Sequence, residues 1–351
     1  METFRQWLYT GPGHFQLEEV EKEEPKPGMV RLAVKAFSIC GSDLTAFRRM
    51  HERMIPPLVL GHEFCGVVDA VGEGVATVKV GQRVGVNPIL RCGVCWHCKN
   101  GRPNLCPNRH NTGTTILAGR YDGGMREFTY MPEFSLMPLP DSIDFIHGAL
   151  IEPLGVCIHM ADVGYLPNEK YTVIYGCGPV GLMTMLILKA RGVEHVICVD
   201  VRKNRLKLAK ELGASLTIDA TEENTVSLVQ QFAKERGGAD RILLCTDAPE
   251  PFLEAMKLAR MDGTVVLTGH IKPTIEFRPE DILEKGLRVL SQVTFLPEHL
   301  ERSMKMIQNK EIPLDKIVTK VLPFSSLQDA CELLCAPDND EIKIVIDVTR
   351  K

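Results

Sequence analysis

YTVIYGCGPVG, residues 171 to 181, decides the fold. Tyr171 to Tyr175 is an apolar run that reads as a buried strand, and Gly176-Cys177-Gly178-Pro179-Val180-Gly181 follows it directly, opening a helical stretch that reaches Ala190. A G-x-G-x-x-G string alone says little. Set between a strand and a helix, it becomes a dinucleotide-binding fingerprint. Glycine serves the tight turn and the close approach of backbone to a pyrophosphate, while the helix N-terminus offers that anion free N–H groups. Pro179 suits a first helical turn, where its missing donor is harmless. The next strand, His195 to Val199, ends in Asp200, nineteen residues beyond Gly181. A carboxylate there hydrogen-bonds the adenosine ribose and repels a 2′-phosphate, which favours NAD over NADP. Arg202, Lys203 and Arg205 follow closely and offer either a cradle for that phosphate or the solvated face of a helix.

Outward from this stretch the alternation continues. HVICVD precedes a helix over Lys203 to Leu212, RILLCT precedes one over Pro251 to Ala259, and GTVVLTG closes the series. Strands alternating with helices imply a parallel sheet covered on both faces, so the expected class is α/β with a doubly wound nucleotide domain. The first 150 residues have a different grammar: short strands such as Val30 to Ala36, Phe64 to Val71 and Met125 to Met131, broken by glycine and proline. They read as an irregular, mostly β domain. Expected boundaries are 1–150, 151–290 for the nucleotide domain, and a segment 291–351 containing a helix over Glu298 to Gln308 and a strand over Glu341 to Val348.

A chain of 351 residues suits two domains. Its net charge of −4 leaves no sequence-wide basic footprint, which argues against a nucleic-acid partner. The N-terminus lacks a signal-peptide pattern, and the apolar run around Leu182 to Leu188 is too short to span a bilayer, so a cytoplasmic protein with no membrane partner is expected. Twelve cysteines in so long a chain point to metal binding or buried thiols rather than to disulfides. Cys198 and Cys245, in apolar runs, read as small buried hydrophobes.

Four of the twelve cluster in CGVCWHCKNGRPNLC, residues 92 to 106. Spacings of two, two and seven let Cys92, Cys95, Cys98 and Cys106 wrap one zinc ion at about 2.3 Å with no open position, the pattern of a structural site. An iron–sulfur cluster or paired disulfides remain alternatives on spacing alone. A second set is dispersed: Cys40-Gly41-Ser42-Asp43, Gly61-His62-Glu63, and Glu152 inside the apolar stretch Ala149 to Pro153. Together they supply thiolate, imidazole and carboxylate, the mixture that catalytic zinc sites use with one position left open. A buried glutamate without a partner is costly, and ligation removes that difficulty.

In their order CGSD, GHE, the four-cysteine lobe, DGG, IEP, GCGPVG and Asp200 resemble the zinc-dependent medium-chain alcohol dehydrogenases, within them the polyol branch typified by sorbitol dehydrogenase. The resemblance implies a GroES-like catalytic domain to which the C-terminal segment returns, and two zinc ions per chain. It implies that Cys40, His62 and Glu152 hold the catalytic ion, with Glu63 ligating directly or through water; which carboxylate ligates at rest stays open. Asp43 would accept a hydrogen bond from the far nitrogen of His62, and Ser42 would take the proton of the alcohol. Arg205 would flank the adenosine, Val180 would belong to the fingerprint turn, and Thr246, Thr268 and Gly269 would line the nicotinamide side. Three departures stand out: Thr45 where many relatives have a relay histidine, Ser291 where an arginine that binds sorbitol is expected, and Asp247 where glycine is common. His51 is a possible substitute relay. The implied substrate is a polyol, sugar alcohol, sugar acid or hydroxy amino acid with a secondary alcohol. Alternatives are a simpler alcohol, a threonine-type substrate or an NADP-dependent ketone reduction. The resemblance also implies a homo-oligomer, dimer or tetramer.

Overall fold

A computed structural model of the chain describes residues 2–350. It divides into two compact units, residues 1–155 with 296–351, and residues 156–295. Among the described residues no helix is long and apolar enough to cross a membrane.

The nucleotide-type unit is a six-stranded sheet in the order Leu216–Asp219, His195–Asp200, Tyr171–Tyr175, Ala239–Leu244, Ala259–Leu267, Arg288–Ser291, and every neighbouring pair is parallel. Counted from Tyr171–Tyr175 as the first, the order is 3-2-1-4-5-6, the doubly wound arrangement whose switch point lies at the carboxyl end of strand one. All residues of Tyr171–Tyr175 are buried, as expected for a strand covered on both faces. The helix Pro179–Ala190 follows with residues Gly181 to Leu188 buried, and Val173, Ile197, Ile242 and Val265 anchor one core cluster. Two strands exceed the expected series. Leu216–Asp219 and Arg288–Ser291 are the short edge strands, each of four residues and partly exposed, so neither carries the long apolar run that marks a buried strand.

The other unit centres on a seven-stranded sheet in which Met29–Ser38 pairs antiparallel with Phe64–Val71, Phe128–Pro132 and the C-terminal strand Lys343–Asp347. Val345 lies opposite Ser38, and Ile39 N donates to Ile344 O at 3.2 Å. This register brings Lys343, far along the chain, to the segment that leads into Cys40. An N-terminal hairpin, Thr3–Gly11 with His14–Glu21, packs Trp7, Tyr9 and Phe15 into the same core as Phe37, Phe47 and Phe324.

Candidate functional site

Cys40 stands at the N-terminus of the helix Gly41–Arg48, where its backbone N–H donates to Asp43 Oδ2 at 3.0 Å. Amide dipoles at such a terminus favour an anion. His62 and Glu63 follow Gly61, whose φ of +98° turns the chain just before the strand Phe64–Val71. The DGG motif clamps this turn, for a Cβ on Gly123 would lie 2.2 Å from Gly61 O and one on Gly124 2.4 Å from the Phe64 ring. In the sequence DGG stood as one motif of the resemblance; Gly123 is required by the close approach of two backbones and Gly124 by the Phe64 ring.

The Cys40 Sγ, a His62 ring nitrogen and a Glu63 carboxylate oxygen all lie within 4.8 Å of one another. Glu152 enters from the first turn of the helix Ile151–Asp162, whose Ile151 carbonyl accepts from Ser303 Oγ at 2.7 Å. It stands outside that 4.8 Å group but is buried beside it, close enough for its charge to act on His62. Burial alone would lower the His62 pKa; the negative charges of Cys40, Asp43 and Glu152 outweigh it and hold the ring well above its usual value. Burial pushes Glu152 up to about 8, with Glu63 and Asp43 adding to the shift and His62 and Lys343 opposing it. Asp43 is likewise raised, chiefly by burial and against the pull of His62 and the Cys40 amide. A thiol and three carboxyls crowded in one buried place are difficult to ionise together without a cation. The donors therefore fit zinc, as a mixed sulfur, nitrogen and oxygen set.

The hydrogen bond expected between Asp43 and His62 is not formed. His62 Nδ1 and Asp43 Oδ1 face each other at 4.0 Å, both buried and without a partner. Asp43 is instead committed through its other oxygen to the Cys40 amide. Histidines that ligate a metal usually give the remaining nitrogen to such a carboxylate. Ser42 is half-buried on the same helix, and Thr45 donates to Gly41 O at 3.0 Å, which ties its hydroxyl to the helix backbone. His51 Nδ1 accepts from Arg53 N at 3.1 Å.

Lys343 was missed by sequence reading. It is 3% exposed, its Nζ donates to Glu63 Oε2 at 2.5 Å and to Ile39 O at 3.0 Å, and Ser38 Oγ donates to the same Glu63 oxygen. The available signal was a lone lysine in the apolar run IKIVID, since a charge within a buried strand needs a partner.

In the lobe, the sulfurs of Cys92, Cys95, Cys98 and Cys106 lie within 4.8 Å of one another, and those of Cys92 and Cys106 are 3.5 Å apart. A tetrahedral zinc with sulfurs at about 2.3 Å sets them about 3.8 Å apart. Amides of Val94 and Cys95 bring the Cys92 thiol down to about 6, whereas burial and the hydrogen bond with Cys95 hold Cys98 up to about 12. Four thiolates this close together require a cation. Among the described residues every cysteine is free, which excludes paired disulfides in this conformation.

At the fingerprint, Gly176 has φ +95°, and a Cβ on Gly181 would fall 1.8 Å from Gly176 O. A Cβ on Gly178 would meet only Arg205 Nη1, at 3.8 Å, so this glycine leaves open the surface a pyrophosphate would approach. Pro179 begins the helix and Val180 and Gly181 continue its first turn. Asp200 is buried at its strand end, accepting from Cys177 N at 2.6 Å and Arg202 N at 2.9 Å, with Arg205 Nη1 3.9 Å away. Across the strand ends, Thr246 Oγ1 accepts from Ala248 N, Thr268 Oγ1 meets Met160 Sδ at 2.8 Å, and a Cβ on Gly269 would lie 1.9 Å from Thr246 O. Asp247, the departure without a role in the sequence, accepts from His270 N at 2.7 Å and fastens this loop. Cys198 is fully packed, while Cys245 is partly exposed.

Two family models match the chain: the alcohol dehydrogenase GroES-like domain over residues 26–141 and the zinc-binding dehydrogenase domain over residues 179–309. The starvation-sensing protein RspB of Escherichia coli K12 is 33% identical over 91% of this chain and 92% of its own. Sorbitol dehydrogenase 1 of Saccharomyces cerevisiae is 30% identical over 91% of each. Among solved structures, the alcohol dehydrogenase RspB from E. coli CFT073, complexed with NADH, superposes with a TM-score of 0.90 at 29% identity, covering 99% of this chain and 100% of that one.

Proposed function

The chain belongs to the zinc-type alcohol and polyol dehydrogenases, a family of oxidoreductases, and from that premise we propose that it transfers a hydride between NAD and a secondary alcohol of a polyol, sugar alcohol or sugar acid, reversibly. The observation that carries this reading is the convergence of Cys40, His62 and Glu63 within 4.8 Å, with Glu152 buried beside them. In it, Cys40, His62 and Glu152 hold the catalytic zinc and Glu63 faces it directly or through water, while Cys92, Cys95, Cys98 and Cys106 hold the structural one. Bound there, the catalytic ion supplies Lewis acidity that polarises an alcohol.

This chain's own groups do the remainder. Ser42 relays the alcohol proton, taking it on Oγ as its own hydroxyl proton passes outward, and Asp43, 4.0 Å from His62 and not bonded to it, supports the imidazole through its charge. Gly176, Gly178, Pro179, Val180 and Gly181 receive the pyrophosphate at the helix N-terminus, Asp200 the adenosine ribose with Arg205 beside it, and Thr246, Thr268 and Gly269 border the nicotinamide. Asp200 supports NAD over NADP. The assembly proposed is a cytoplasmic homo-oligomer, dimer or tetramer. Absorbance at the NADH band, followed with a panel of secondary polyols, sugar acids, threonine and primary alcohols, tests the reading. Turnover of a polyol with NAD that is lost in Cys40→Ser supports it. Turnover confined to primary alcohols, or unchanged in Cys40→Ser, contradicts it.

A further inference from the structure

Glu63 is claimed by two groups. Its carboxylate is near enough to Cys40 and His62 to join any cation they bind, yet one of its oxygens is held by Lys343 Nζ at 2.5 Å and by Ser38 Oγ. Lys343 is itself fixed by the carbonyl of Ile39, the residue before Cys40, at 3.0 Å. Lysine and glutamate are 3% and 2% exposed. Water therefore screens neither, and their attraction acts in a poorly polarisable surrounding. We propose that Lys343 is a positioning residue which holds Glu63 off the catalytic metal and so keeps one coordination position open for the substrate oxygen.

The inference rests on the metal site proposed above and adds what decides between its two carboxylates. Among the described residues no lysine is bonded to Glu152, whereas Glu63 has lysine and serine on the same oxygen. Removing the ammonium leaves a buried carboxylate without its counter-charge, a situation costing several kcal/mol unless another cation takes it up. The nearest candidate is the ion at Cys40 and His62. Glu63 would then occupy the position that substrate needs. Arginine at 343 keeps the positive charge and the donors; methionine keeps most of the volume and neither.

The test uses full-length protein with cobalt(II) in the catalytic site, its visible d–d spectrum taken as the difference from Cys40→Ser, and imidazole as the probe of the open position. In the wild type, imidazole shifts the bands. In K343M the bands are expected to be displaced before imidazole is added, and imidazole to bind at least about tenfold more weakly, the factor for about 1.4 kcal/mol of competition. K343R should titrate like the wild type, and K343M/E63Q, which lacks the competing carboxylate, should regain wild-type imidazole binding. A K343M spectrum and titration identical to the wild type would overturn the proposal, as would weakened binding that E63Q does not restore. If K343M does not fold, S38A reads the same competition: weaker imidazole binding supports the proposal and unchanged binding overturns it. A wild-type difference spectrum without cobalt bands would remove the metal site itself, and with it this inference; an intact wild-type response beside an unaltered K343M removes the inference alone.

Discussion

Zinc uptake at the catalytic site is expected to expel a proton from Glu152, and Glu152→Gln should abolish that share of the release. Burial, reinforced by Glu63 and Asp43, holds this carboxyl up to about 8 against an ordinary 4.5. At about pH 7 such a group is ~90% protonated and at about pH 9 ~10%, whereas the ligating form is the carboxylate. Ionising it at about pH 7 costs about 1.4 kcal/mol, so zinc affinity should rise about tenfold for each pH unit below the shifted value from this group alone. Calorimetric titration of zinc into stripped protein, in buffers of different ionisation enthalpy, counts the protons. The wild type minus Glu152→Gln should give ~0.9 proton at about pH 7, falling to ~0.1 at about pH 9. The lobe contributes equally to both proteins and cancels. Equal counts for the two proteins at neutral pH would refute the reasoning, because Glu152 would then be ionised beforehand or not ligating. The same shift carries a stability prediction. A raised carboxyl stabilises the stripped fold fully below 4.5, and that contribution is lost as pH rises through about 8. Urea denaturation of stripped protein should therefore weaken across this window, by at most about 5 kcal/mol from this group, and zinc should suppress the loss.

Cys98→Ser should lower the zinc content from two ions per chain to one by atomic absorption, and make the loop 92–106 the first site of proteolysis, since the lobe has little apolar core to hold it. Gly181→Ala and Gly178→Ala should separate folding from binding: the first puts a methyl 1.8 Å from Gly176 O and should depress the melting temperature, while the second meets no protein atom within 3.4 Å and should weaken NAD with little change in melting. Fluorescence titration of NADH alongside thermal melts distinguishes them, and equal melting losses would contradict the reading. Asp200→Ala removes the carboxylate proposed to hold the adenosine ribose as well as the acceptor for Cys177 N and Arg202 N; at about 1.5–3 kcal/mol for the charged hydrogen bond to the ribose, NAD binding should fall at least tenfold and the preference over NADP should narrow.

The nucleotide unit was legible because its strands are buried on both faces. Tyr171–Tyr175, His195–Asp200 and the helix Pro179–Ala190 each present a continuous apolar run bounded by glycine or a charge, and periodicity finds such runs. The edge strands Leu216–Asp219 and Arg288–Ser291 were not found, since short half-exposed strands have no comparable pattern. The cysteine lobe is local and its spacing alone brings the ligands together. The second donor set was readable as residue types but not as a cluster, because Cys40 and His62 with Glu63 come together only where Met29–Ser38 pairs with Phe64–Val71, while Glu152 is buried beside them from a helix more than eighty residues further on. The need of Lys343 for a partner was readable, but the identity of that partner was not, because Glu63 is 280 residues away.

The most direct measurement is anomalous diffraction at the zinc edge from crystals of the purified protein. The account predicts two peaks per chain, one amid Cys92, Cys95, Cys98 and Cys106, the other about 2.0–2.3 Å from Cys40 Sγ, a His62 nitrogen and a Glu152 oxygen. A single peak confined to the cysteine lobe, from protein that turns over its alcohol at full rate, would contradict it.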